Sequence, residues 1–198
     1  MTLANRILQR VRGHGRGHVF SAWDFFDLGS RGAVDQALAR MATSGQIRRI
    51  DRGIYDLPRL HPRVGPLWPS ADDVARTVAR QTDSQVKASG PLAANALGLT
   101  TQVPAEATYL TDGPSRTVRV GRLRVSLRHC GRTEMLLPDT TAGLAIVALR
   151  YLGKDGASTE VLRQLASKLE PVDKQRLRAV RRQLPGWLGS AVDQVLGG

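Results

Sequence analysis

The sequence holds a single cysteine, Cys130, in 198 residues, and its aromatics are few, three each of Phe, Trp and Tyr. One thiol cannot close an internal disulfide and is too little for a structural zinc site, which fits a reducing compartment. No apolar run approaches the ~20 residues of a membrane-spanning helix. The first residues, MTLANRILQRVRGHGRGH, break into Gly, His and Arg where a secretion signal needs an apolar stretch. The expectation is a cytoplasmic protein with no membrane contact. Also missing are a phosphate-cradling Walker loop, an HExxH pair and the clustered carboxylates of a two-metal nuclease. His129 and Cys130 are neighbours in an expected strand and point to opposite faces, so that dipeptide cannot form a thiolate-imidazole pair. The expectation is therefore a protein that is not an enzyme and needs neither cofactor nor metal.

Acidic residues are scarce too. Seventeen Asp and Glu against 29 Lys and Arg leave a net charge of +12. A field of that sign attracts polyanions, nucleic acid foremost. Residues 1 to 65 hold eleven basic and five acidic side chains, half the net charge in a third of the chain.

What is present is most informative from Ser30 to Pro58. Val34, Leu38 and Met41 recur at helical spacing, Arg31, Asp35, Gln36 and Arg40 project elsewhere, Ser30 is a natural N-cap and Gly45 a natural stop. Ile47 to Ile50, then Asp51-Arg52-Gly53, then Ile54 to Asp56 read as strand, turn and strand, with Gly53 suited to a positive φ. Upstream, Leu3, Ile7, Leu8 and Val11 form the stripe of a first helix, residues 2 to about 12. The glycines of GHGRGH break that helix, and Val19-Phe20 reads as a short strand able to pair with the hairpin. Ser21 then caps a second helix, Ala22 to Leu28, with Trp23, Phe25 and Phe26 inward. Helix, strand, helix, turn, helix and two-stranded wing is the order of a winged helix-turn-helix, whose third helix enters the major groove.

On that reading Ser30, Arg31, Asp35 and Gln36 face base edges, since Arg pairs bidentately with guanine, Gln with adenine, and Asp accepts from cytosine. Arg16, Arg40, Arg48, Arg49 and Arg52 suit phosphates, which fix register and make affinity salt-dependent. His14 and His18 stand four apart, a ligand spacing only on a helix, which the glycines deny; a turn is the better reading.

His61 to Pro69 contains three prolines and a glycine and reads as an extended linker. Ser70 to Asp73 is a capping box on a helix with Val74, Ala75, Val78 and Ala79 inward. Pro91 opens a short helix that Gly98 ends, and Tyr109 to Thr111 reads as a strand. TVRVGRLRVSLR, residues 117 to 128, alternates strictly about a Gly121-Arg122 turn, and residues 116 to 132 hold six arginines and no carboxylate. Arg116, Arg119, Arg122, Arg124 and Arg128 thus form a second basic surface. Like charges stacked across a hairpin repel, so a polyanion or acidic partner would relieve them. Helices follow at about 141–152, 159–169, 173–184 and 187–196. The expected fold is α+β: a winged helix-turn-helix at 1–60, a linker at 61–69, and a mixed α+β domain at 70–198 ending in helices.

With these motifs in place, the chain resembles the AbiEi-type antitoxins of bacterial type IV toxin-antitoxin systems and a related DUF6088-like group. The resemblance is carried by RVRGHGRGHVFSAWDFFDLGSRGAVDQALARM, GQIRRIDRGIYDLPRLHPRVGPLWPS, SGPLAANALGLTTQVPA, YLTDGPSRTVRVG and ALRYLG, and covers the chain to about residue 155. It implies an N-terminal domain that binds double-stranded DNA at its own promoter, often over inverted repeats, as an autorepressor. It also implies a C-terminal domain needed to neutralise a nucleotidyltransferase-like toxin. The final forty residues match less clearly and inherit no role. Other readings are an RNA-binding protein that uses the arginine-faced hairpin, a plain regulator without a toxin, and an interaction module for an acidic protein.

Overall fold

A computed structural model describes residues 1–102 and 106–197 of the chain; Val103, Pro104 and Ala105, which end the SGPLAANALGLTTQVPA phrase, and Gly198 lie outside the described residues. The fold is α+β. Its contacts divide it into two compact units, residues 1–84 with 117–125, and residues 85–116 with 126 onward.

The first unit begins with α1 (Leu3–His14), capped by the Thr2 hydroxyl, which accepts from Asn5 N–H at 3.3 Å. The helix runs through Gly13, past the expected end, and stops at Gly15, whose φ of 89° favours a residue without Cβ. β1 (Val19–Ser21) leads into a single 3-10 turn, Ala22–Phe25, where a longer helix was expected. The Asp24 carboxylate accepts from both the Ser21 N–H at 2.8 Å and the Ser21 hydroxyl, which ties this turn to its strand. Phe25 turns inward as expected, but Trp23 is 57% exposed, because a turn this short has only one buried side.

Next come α2 (Arg31–Thr43), β2 (Arg48–Asp51) and β3 (Ile54–Asp56). β3 is the middle strand of the order β1-β3-β2, so Val19-Phe20 does pair with the hairpin as the sequence suggested. Val34, Leu38 and Met41 of α2 close over Ile7, Val11, Phe20 and Phe25 in one apolar core. Residues 61–69 depart from the expected extended linker: β4 (Leu60–His61) and β5 (Gly65–Pro66) form a small hairpin. α3 (Ala71–Arg80), capped by Ser70 as expected, buries Val74, Ala75, Val78 and Ala79. It packs within this unit, where Thr77 Oγ1 donates to Val19 O at 3.2 Å and Gln81 Nε2 to Gly53 O at 2.9 Å. The compact unit therefore extends to Ser84, beyond the boundary expected at 61–69.

The second unit contains β6 (Val86–Ala88), α4 (Gly90–Ala96), β7 (Ala107–Thr111) and the bases of β8 (Arg116–Val120) and β9 (Leu123–His129). The sheet order is β6-β7-β9-β8. The strict alternation is realised: Val118, Val120, Val125 and Leu127 are buried, and Arg119, Arg124 and Arg128 are exposed. α5 (Thr141–Gly156), α6 (Thr159–Lys168), α7 (Pro171–Val180) and α8 (Gly186–Gly197) follow, and α5, α7 and α8 bury Ile146, Leu149, Leu177, Leu188 and Val192 in a single core.

Lys87 of β6 is buried, and its Nζ donates to Leu136 O at 3.1 Å. Desolvation pushes its pKa down to about 8 from an ordinary 10.5. Between those values the unfolded chain carries a proton that the fold has released, so this lysine makes stability rise with pH across that window. The penalty is fully present below it. The expected result is that wild type gains stability relative to Lys87→Met when denaturation midpoints move from about pH 7 to about pH 10. Parallel curves for the two proteins would contradict the assignment.

Candidate nucleic-acid interface

α2 has one face in the core and the other in solvent. Ser30 caps it, its hydroxyl accepting from Ala33 N–H at 3.4 Å. The Arg31 side chain is 83% exposed, and its Nε lies 3.9 Å from an Asp35 carboxylate oxygen one turn on. An ion pair that loose and wet is worth little, so its guanidinium is available to a better acceptor at small cost. Gln36 is also exposed, with its Oε1 3.5 Å from Arg40 Nη2. All four expected base-facing residues thus lie in the first two turns of an uncovered helix, with Arg40 beyond them.

The β2-β3 hairpin turns at Gly53, whose φ is 74°. Arg49 and Arg52 are exposed on it; Arg49 Nε reaches back to Asp51 O at 3.4 Å, and the Asp51 carboxylate accepts from Arg52 N–H at 2.6 Å. Arg48 departs from its expected role. The β2-β3 register sets it directly opposite Asp56, which is fully buried, and the guanidinium grips that carboxylate with two hydrogen bonds, the Nε one at 2.9 Å. Its Nη2 also donates to Leu67 O at 2.7 Å, and the guanidinium lies 4.2 Å from the centre of the Trp68 ring. With its Nε and Nη2 engaged and its side chain 19% exposed, Arg48 is committed to the fold rather than held out toward a phosphate.

Arg16 is exposed and donates to Pro58 O at 3.2 Å. The same approach brings Gly17 N–H onto Leu57 O at 2.6 Å and sets the Arg59 guanidinium beside Gly17. Arg59 and Arg63 are both exposed, and so widen the basic surface around Arg16. Arg63 was expected in the linker and Arg59 at the end of the first domain without a role; each directly follows a proline. His14 and His18 stack at 4.4 Å between centroids, and burial, then repulsion from His14 and Arg80, holds the His18 pKa below its ordinary value. Among the described residues no group of three or more His, Cys, Asp and Glu could hold a metal ion.

The arginines expected to form a second basic surface fall in both units. Arg119, Arg122 and Arg124 belong to the first and are exposed; Arg119 N–H donates to the Asp51 carboxylate at 3.3 Å, and Gly121 rests against Trp68 so closely that a Cβ there would lie 2.7 Å from the indole. The hairpin tip is thereby fixed to β2 and Trp68. Arg116 and Arg128 belong to the second unit, where Arg128 comes within 4.0 Å of Glu134. No described helix is long and apolar enough to cross a membrane.

Residues 6–177 match a family described as a family of unknown function (DUF6088). No curated protein and no solved structure matches the chain.

Proposed function

For this chain, which belongs to the DUF6088 family, we propose a role as a winged-helix DNA-binding transcriptional repressor that lays α2 in the major groove. One observation carries the reading: Ser30, Arg31, Asp35, Gln36 and Arg40 form an uncovered polar face on a helix whose other face is core, beside a hairpin that presents Arg49 and Arg52. The element order from α1 through β3 supports it, with the 3-10 turn at Ala22–Phe25 in the place of the middle helix. Ser30 to Gln36 read bases; Arg16, Arg40, Arg49 and Arg52, joined by Arg59 and Arg63, hold phosphates. The narrower form of the proposal is autorepression of its own promoter as the antitoxin of a type IV system, which rests on the resemblance to AbiEi-type antitoxins. Rescue of growth from a co-expressed nucleotidyltransferase-like toxin tests that form.

The DNA reading makes two variants behave differently. Arg31→Ala is expected to lower preference for the cognate duplex by ~1–3 kcal/mol, whereas Arg49→Ala weakens all duplexes alike and reduces the salt slope by about 1. Fluorescence anisotropy on a duplex of the chain's own upstream region and on a scrambled one separates them. Equal loss on both duplexes for Arg31→Ala would remove it from base reading. The exposed Arg119, Arg122 and Arg124 favour a second reading, in which the hairpin binds RNA and the head assists. Competition by structured RNA at fixed salt decides: efficient displacement of the duplex, lost on changing those three arginines, would favour the RNA reading.

A further inference from the structure

The second unit carries an open-sided cavity of about 330 Å³ between α4, β7 and α5. Its volume falls at the small end of the range of ligand pockets, ~300–1,000 Å³. Pro91, Leu110, Ile146 and Val147 give it an apolar wall, and Tyr151 closes one side, packed so tightly on Gly90 that a Cβ there would lie 2.4 Å from the tyrosine Cβ.

Two polar groups in this lining, Ser89 and Arg150, bear on what it could hold. Ser89 precedes α4 in the extended conformation of an N-cap, yet its side chain makes no capping hydrogen bond. The residue is 6% exposed, and its hydroxyl has no hydrogen-bond partner among the described residues. Buried hydroxyls are nearly always satisfied, and one facing a cavity calls for an occupant. Arg150 of α5 also lines the cavity, half-buried, and makes no hydrogen bond or ion pair among the described residues. Of the other charges, Arg128 meets Glu134 only loosely at 4.0 Å and is exposed, and Glu106 accepts from the Ser126 hydroxyl. The Arg150 guanidinium and the buried Ser89 hydroxyl stay open beside an apolar wall, with two carboxylates on the same lining to repel a multiply charged anion.

We propose that this cavity binds a small organic monocarboxylate with an apolar or aromatic body. Arg150 takes the carboxylate, the Ser89 hydroxyl donates to it, and the body lies against Leu110, Ile146 and Tyr151. Glu106 and Glu134 select against phosphate dianions.

The test is calorimetric titration of the full chain with benzoate and phenylacetate as probes, beside benzyl alcohol, which keeps the body without the charge, and inorganic phosphate, which keeps a charge without the body. At least one carboxylate is expected to saturate the protein at one site, with benzyl alcohol and phosphate about tenfold weaker or worse. Arg150→Gln should weaken that carboxylate about tenfold and Ser89→Ala to a lesser degree. Neither change removes an internal partner, so neither variant should unfold at a lower temperature than wild type, which separates lost binding from lost fold. Absence of saturation by both carboxylates, phosphate binding as tightly as they do, or an Arg150→Gln protein with unchanged affinity would each overturn the proposal.

Discussion

Asp56→Ala is expected to cost the first unit about 3–5 kcal/mol, because it strands the largely buried Arg48 guanidinium without its counter-charge. Asp56 has no exposed surface, and burial holds its pKa above the ordinary carboxylate value even though Arg48 pulls the other way. Desolvation of this carboxylate thus outweighs its ion pair. Two consequences distinguish this account from that of a simple stabilising bridge. Asp56→Asn, which keeps an acceptor and removes the desolvated charge, should cost less than alanine, and the joint change Arg48→Met with Asp56→Leu should recover most of the loss. The pH sign is also reversed from that of an ordinary paired aspartate. As pH falls, the fold takes up this proton before the unfolded chain does, so the group's own contribution to stability grows in the window between the two pKa values and is constant outside it. Chemical denaturation followed by tryptophan fluorescence checks this, since Trp68 lies over Arg48. An alanine variant within about 1 kcal/mol of wild type would show that Leu67 O and Trp68 alone satisfy Arg48.

Gly143→Ala should be as damaging to the second unit, about 3 kcal/mol or more. A Cβ there would lie 1.9 Å from Leu137 O and 2.9 Å from Leu137 C, both backbone atoms that no rotamer change can move aside. The contact belongs to a compact cap. Thr140 Oγ1 donates to Leu137 O at 2.8 Å and accepts from Gly143 N–H at 3.0 Å, while Leu137 and Asp139 take φ values of 52° and 56° that side chains rarely adopt. Shifting that loop would break the cap and disturb Met135 and Ala142 in the core. Gly186→Ala is the control, since nothing lies within 4 Å of its added methyl; it should stay within ~0.5 kcal/mol of wild type. Comparable melting of the two variants would mean that the loop yields easily.

Much of this architecture is legible in the residues. The 3-4 spacing of Val34, Leu38 and Met41 fixes which face of α2 is buried, and so which residues are left for a ligand. The two-residue alternation from Val118 to Leu127 does the same for the β8-β9 hairpin. Less legible are features that depend on partners distant in sequence. Trp23 reads as core by hydrophobicity, yet the 3-10 turn faces it outward. The three prolines of residues 61–69 suggest a linker, but Gly65 at a φ of 74° lets the chain reverse into a hairpin. α3 reads as the start of a new domain because its stripe is complete in itself; what it packs on is set by Thr77 and Gln81 reaching main-chain carbonyls 58 and 28 residues away. Of the candidate site residues, Arg48 shows the limit most clearly. Sequence places it in a basic run with Arg49, and only the strand register opposes it to Asp56 and turns it inward.

The central claim is that the uncovered face of α2 reads duplex DNA, and the most direct measurement is the affinity of the full chain for its own upstream duplex across a salt series, with wild type and Gln36→Ala side by side. The account predicts that wild type prefers that duplex to a scrambled one, that affinity falls steeply with salt, and that Gln36→Ala loses the preference while keeping the salt slope. Failure of wild type to bind any duplex at low ionic strength, or a Gln36→Ala protein with its preference intact, would contradict it.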